Sequence, residues 1–262
     1  MKINKEEYLN HINGEKELMA MRRLLDLIEV TINRHSINYT DFLEPHMIKF
    51  GESILNRFEE ISYSIEGGFS NSERKVIIIY SWYHFYENKT DSPLNGLEIK
   101  GNIENLDHRD VLGSILGLGI VRDKIGDIGF FKDSIKVSLL KDISSFVLYN
   151  LKKIKKENVE VALIDPDDLG EIVQEGTEKF IIISSMRLDS LISEAYNISR
   201  KDAQKLIESN LVKLNYAFET KTHKSIEEGD LVSVRGKGRF QIKKVEGLTK
   251  KERIKLILFF FE

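Results

Sequence analysis

The stretch from Met186 to Val245 constrains the fold most, because its hydrophobic spacing is helical, helical again, and then alternating. Leu188, Leu191, Ile192 and Ala195 recur at helical spacing and form one apolar stripe, with Arg187 and Asp189 beside it. Ser199 reads as the start of a second helix. Its hydroxyl can satisfy orphan amides, Asp202 follows at capping-box spacing, and Ala203, Leu206 and Ile207 make the buried face. Arg200, Lys201 and Lys205 are left for another surface. Asn210 tolerates the left-handed turn that ends a helix, and Val212-Lys213-Leu214-Asn215 alternates like a strand. Glu228-Gly229-Asp230 is a turn into Leu231–Val234. The chain then runs Arg235-Gly236-Lys237-Gly238-Arg239.

Glycine between cations lets backbone amides come close to a phosphate while Arg and Lys supply charge. A solvated turn is the plain alternative for Arg235, Lys237 and Arg239; the helix pair in the same segment favours RNA. Arg187-Leu188-Asp189, Ser199-Arg200, Ala203, Ile207, Val212, Asn215, Gly229-Asp230 and Val234 resemble the RNA-binding module named after small-subunit ribosomal protein four, the S-four domain. The resemblance implies a basic face made of Arg187, Ser199, Arg200, Lys201 and Lys205, with Arg235, Lys237 and Arg239 at its edge.

Charge is divided along the chain in the same sense. Residues 187–262 hold 16 Lys and Arg against 11 Asp and Glu, a net of +5, so the other 186 residues carry −8 within the overall −3. A basic face on an acidic body suits docking at one place and argues against indiscriminate coating of nucleic acid.

At 262 residues, 41% of them hydrophobic, the chain is long enough for two or three domains. The absence of cysteine excludes disulfides, thiolate nucleophiles and cysteine-based zinc sites. Six histidines without paired spacing give no metal motif, and neither metal nor cofactor is expected. The charged N-terminus carries no signal-peptide pattern, and Leu256–Phe261 is too short to span a bilayer, so a cytoplasmic protein with no membrane partner is expected.

The expected class is α+β. Residues 1–70 read as a helical domain, with Leu18, Met21, Leu24, Leu25 and Ile28 on one face and a second helix starting near Pro45. Residues 71–165 read as a split-βαβ, RRM-like sheet: strands at Val76–Tyr80 and Leu97–Lys100, a helix near Asp107, a strand at Ile135–Leu139, a helix over 142–156 and a strand at Val159–Leu163. Tyr80, Trp82, Tyr83, Phe85 and Tyr86 cluster after the first of these strands, where base stacking and core packing are both open. Asp165-Pro166-Asp167-Asp168, with Glu171, Glu175 and Glu178, reads as an acidic linker over 166–182 before a terminal RNA-binding domain at 183–262.

Asp107-His108-Arg109-Asp110 and the following run to Ile120, with Arg122 and Ile125-Gly126-Asp127-Ile128, resemble the signature of the bacterial YlmH family, also called RqcP. Thr40–Pro45, Gly67-Gly68 and Glu73-Arg74-Lys75 are similar to its N-terminal motifs, with Glu44 standing where aspartate is expected. Neither a kinase loop nor a dinucleotide turn fits the context of His108-Arg109-Asp110 or Gly117-Leu118-Gly119. The resemblance implies a non-enzymatic factor on the large ribosomal subunit, its rRNA and stalled peptidyl-tRNA being the partners. There it supports template-free C-terminal tailing by an RqcH-type factor. An rRNA- or tRNA-modifying enzyme with an appended S-four module, or a cytoplasmic cell-division scaffold, are the alternatives.

Overall fold

The computed structural model describes residues 2–10, 12, 14–81 and 92–261. Trp82, Tyr83, Phe85 and Tyr86 lie outside the described residues. The chain divides into two units, Met1–Val173 and Gln174–Glu262. The α+β class is as expected.

The first unit opens with α1 (Glu6–Leu9) and α2 (Glu15–Arg34), continues through β1 (Asn38–Tyr39) and α3 (Pro45–Leu55), and reaches β2 (Ile61–Glu66) and β3 (Val76–Ser81). Met21, Leu24, Leu25 and Ile28 on α2 are fully buried, as their spacing requires. Pro45 occupies the first turn of α3. A purely helical domain ending at residue 70 is not what forms. The strand Val76–Ser81, expected to open the middle sheet, pairs antiparallel with β2 along six positions and with β1 on its other side, giving the order β1-β3-β2. Ile77 and Ile79 of β3 join the α2–α3 core, while Ile78 packs with Phe42 and Leu140. Its first four residues, Val76–Ile79, are all buried, and a strand apolar on both faces takes whatever layers cover it.

The middle sheet therefore begins one strand later. It runs β4 (Leu94–Gly101), α4 (His108–Leu116), β5 (Ile125–Phe130), β6 (Ile135–Leu140), α5 (Lys141–Asn150), a short β7 (Lys153–Ile154) and β8 (Glu157–Ile164). The order β5-β6-β4-β8-β7, antiparallel throughout, is the split-βαβ arrangement. Leu97, Ile99, Val137 and Leu139 meet Val111, Ile115 and Val147 of the two helices on one face. Helix α4 starts with a reciprocal capping box: Asp110 donates its backbone N–H to the Asp107 carboxylate at 2.9 Å, and Asp107 does the same to Asp110 at 2.9 Å. His108-Arg109-Asp110 is thus a helix start.

The acidic stretch after β8 is no free linker. Leu169 is fully buried, Lys136 donates to the Asp168 carbonyl at 2.6 Å, and Asn71 exchanges hydrogen bonds of 2.8 and 2.9 Å with the backbone of Ile172. These contacts fasten 168–172 to the first unit, and residues from Gly176 onward form a strand of the second.

In the second unit β9 (Gly176–Ile183) leads to α6 (Leu188–Tyr196), α7 (Arg200–Glu208), β10 (Val212–Leu214), β11 (Ala217–Phe218), β12 (Leu231–Val234), β13 (Gly238–Leu248) and β14 (Ile254–Phe261). The sheet order is β11-β10-β12-β13-β14-β9. The terminal strand expected at Leu256–Phe261 sits between β13 and β9 and pairs with β9 at eight positions, so the unit's first and last strands close its sheet together. Leu188, Leu191, Ile192, Ala195, Ala203 and Ile207 pack the helix pair onto Val212, Val232, Phe240, Leu256 and Leu258. Asn210 has φ 55°, the left-handed stop foreseen for it.

Candidate nucleic-acid interface

The cations expected to face RNA fall into two groups within the second unit, each held by a different device. The first is built on Asp189, whose side chain is 0% exposed at the start of α6. Arg187 donates to it from Nε at 3.1 Å and from Nη2 at 2.9 Å. Arg200, at the first position of α7, donates from Nε at 3.0 Å and Nη2 at 3.3 Å, and Gln204 adds a bond of 2.9 Å. The Ser190 amide completes the set at 2.9 Å. Burial pushes the Asp189 carboxyl up, but the bonds from Arg200, Arg187 and Gln204 outweigh it and hold the pKa at about 2. One carboxylate between two guanidiniums leaves a net charge of +1. The arginine side chains remain 39% and 47% exposed, and each keeps three N–H donors not spent on Asp189.

Lys201 and Lys205 follow at a spacing of four on α7, hence on one helix face, and both are exposed. Lys205 stands 3.5 Å from Asp202. Ser199 takes the capping role that its position predicts. Its Oγ accepts the Asp202 amide at 3.1 Å and donates its only proton to the Asp202 carboxylate at 2.6 Å, so it caps α7 and has no proton left for a ligand.

The second group is the turn between β12 and β13. Val234 pairs with Gly238, leaving Arg235, Gly236 and Lys237 as a three-residue loop in which Gly236 (φ 80°) and Gly238 (φ 96°) take conformations that favour glycine. Arg235 and Lys237 are exposed. Lys237 Nζ lies 5.6 Å from the centre of the Tyr196 ring, and Arg239, half-buried, stacks 4.6 Å from that of Phe261. Tyr196 donates to the Gly238 carbonyl at 3.2 Å and packs on Phe240 and Phe260; burial pushes its pKa up to about 12. The Arg235 amide donates to Leu211, just past α7, at 2.8 Å. The loop is thus anchored to the ends of both helices, on Tyr196 at the end of α6 and on Leu211 just past α7.

Sequence spacing identified the cations but missed Asp189, Gln204 and the rings beneath the loop. An acid two residues after an arginine, next to a stripe of leucines, was the available signal for the first of these.

The motifs shared between the N-terminal and middle regions form a joint within the first unit. Leu43 and Lys75 exchange backbone bonds of 2.8 and 3.1 Å, and Phe42 donates to Asp123 at 2.8 Å. Buried Arg74 donates to the carbonyls of Ile125 and Phe42, both at 3.1 Å. Asp127 accepts the amides of Glu73 at 2.6 Å and Arg74 at 3.1 Å; burial raises its pKa. Arg122 donates to Gly126 at 3.1 Å and also to Ile125, and burial together with the Arg74 charge lowers its pKa to about 10. Thr40 accepts the Ile77 amide at 3.0 Å. These residues hold structure together. The sheet face opposite α4 and α5 carries Gly96, Glu98, Lys136 and Ser138, and Gly68 lies against both Ser138 and Leu169. Strands β4 and β6 thus offer no aromatic platform there.

Comparison with known proteins fits this architecture. Residues 16–83 match the model of the YlmH N-terminal region, and residues 91–168 match the one described as a putative RNA-binding domain in YlmH. The chain belongs to the YlmH family. A similar YlmH-family relative is the ribosome-associated protein quality control protein P2 of Bacillus subtilis (strain 168), 29% identical over 231 residues that make up 87% of this chain and 89% of the relative. The cell division protein ylmH from Streptococcus pneumoniae has a similar fold, with a TM-score of 0.53 and 18% identity over 62% of this chain and 98% of that one. No helix among the described residues is long and apolar enough to cross a membrane, and no cluster of three or more His, Asp or Glu among them is placed to hold a metal ion.

Proposed function

We propose that this protein is an RNA-binding factor of ribosome-associated quality control, acting in the cytoplasm without catalysis of its own. Through its second unit it docks on rRNA of a large ribosomal subunit that carries stalled peptidyl-tRNA, and it supports template-free tailing of the nascent chain by an RqcH-type partner. The observation that carries this reading is the Asp189 clamp. A fully buried carboxylate fixes two arginines with donors left over, which is how guanidiniums are preorganised for phosphate, and the exposed Lys201, Lys205, Arg235 and Lys237 extend the same charge. The Bacillus relative's name supports the cellular setting, and the family's RNA-binding domain, matched at residues 91–168 of the first unit, supports RNA as the ligand class of the protein.

The test is to delete the protein, stall translation on a truncated message, and measure C-terminal tails and P-site tRNA on isolated large subunits. Tailing and tRNA retention should fall and return with the wild-type chain, but not with Lys201→Glu/Lys205→Glu. Unchanged tailing in cells where the protein occupies those subunits would overturn the role. A modified nucleotide that vanishes on deletion and is restored by purified protein would favour the modifying-enzyme alternative.

A further inference from the structure

Helix α5 presents a surface that the second unit does not account for. Ser144, Val147 and Leu151 face inward. On the outside, Phe146 is 49% and Tyr149 72% exposed, and their spacing of three makes them neighbours on one helix face. Immediately beyond the helix the chain reads Lys152-Lys153-Ile154-Lys155-Lys156; Ile154 is buried and all four lysines are exposed. Lys155, at φ 53° in the turn between β7 and β8, reaches Asp110 on α4 at 2.6 Å. That ion pair pins the hairpin, while Lys152, Lys153 and Lys156 have no ion pair among the described residues. Residues 141–156 hold five lysines and one aspartate within an otherwise acidic unit.

Two exposed rings flanked by unpaired lysines, with no exposed large aliphatic side chain on the same helix, fit a base and its phosphates better than another protein's apolar face. The sheet face that a split-βαβ domain offers to bases is, in this chain, strapped by the Leu169 segment, which leaves the helix side. We infer that α5 and the lysine hairpin form a second RNA-contact surface, taking a single-stranded stretch with bases on Phe146 and Tyr149 and phosphates on Lys152, Lys153 and Lys156. It shares the RNA-binding reading above but stands on different residues.

The experiment measures anisotropy of a fluorescein-labelled single-stranded uridine oligonucleotide with the full-length chain. Phe146→Ala/Tyr149→Ala should weaken binding about tenfold or more, on the scale of one to two lost stacking contacts. Lys152→Gln/Lys153→Gln/Lys156→Gln should reduce the log-log salt slope by about 2, at roughly 0.7 per phosphate on a single strand. Lys201→Glu/Lys205→Glu is the parallel arm. Full affinity in both α5 variants with loss in that arm would overturn the surface and leave the C-terminal interface standing; the opposite pattern would do the reverse. Photo-crosslinking of wild-type protein to 4-thiouridine RNA decides the matter if a variant misfolds. Adducts on the peptide containing Phe146 and Tyr149 are expected, and adducts confined to residues 187–261 would overturn the surface.

Discussion

Arg200 lies across the buried carboxylate of Asp189, its Nε and Nη2 at 3.0 and 3.3 Å from the two oxygens. The cation best placed by sequence to face RNA is thus also a tie between the two helices of the second unit. A single side chain serves both ends because a guanidinium spends two donors inward and keeps three outward.

Replacing Asp189 by Asn leaves two partly buried arginines without their counter-charge. The second unit should lose about 3 kcal/mol, the usual cost of breaking a buried ion pair, and its melting temperature should drop by more than ~10 °C. Thermal unfolding followed by circular dichroism checks this. A shift of only a degree or two would show that the clamp is decorative.

Acid should weaken the same unit in a defined window. The Asp189 pKa is depressed in the folded state to about 2 from 3.8, so its contribution is fully present above pH ~4 and is lost as pH falls from there toward 2. The loss is on the order of 2 kcal/mol. Denaturant titrations at pH 5, 4 and 3 should show the decline in wild type and a flatter profile in Asp189→Asn.

Charge reversals on α7 should separate into two kinds. Arg200→Glu sets a second carboxylate against Asp189 and should unfold or strongly destabilise the unit. Lys201→Glu/Lys205→Glu, on exposed positions, should keep the fold within about 0.5 kcal/mol and weaken RNA binding, with a salt slope smaller by about 2. Equal melting temperatures for the two variants would contradict the assignment of Arg200 to the clamp.

Gly126→Ala tests the joint in the first unit. A Cβ there meets the Phe42 ring at 2.6 and 2.8 Å, and Phe42 is buried with no room to retreat. Destabilisation of about 1–3 kcal/mol is expected, partly relieved by Phe42→Leu in the same chain. Additive rather than compensating effects in the double variant would argue against the contact.

Much of this was legible from local pattern. The stripes of α6 and α7, the Ser199 cap, the Asn210 stop, the start of α4 at Asp107 and the final strand all depend on neighbours a few residues away, and each formed where its spacing placed it. Strand β5 was missed because Gly126, Asp127 and Gly129 lower its strand propensity. Those glycines are there because Phe42, Phe69 and Phe131 lie against the backbone.

Sequence alone determined the segments with a clear period, among them α2, α4, α6, α7 and the final strand, which face of each helix is apolar, and where the positive charge lies, since these follow from period and composition. Tertiary structure decided which sheet Val76–Ser81 would join, that residues 168–172 would be strapped down, and that a carboxylate would sit buried between Arg187 and Arg200. Strand partners and buried ion pairs are made between residues far apart in the chain or on different helices. No local period records which of several compatible surfaces will cover a strand apolar on both faces, or whether an acid beside a leucine stripe will end in solvent or between two arginines.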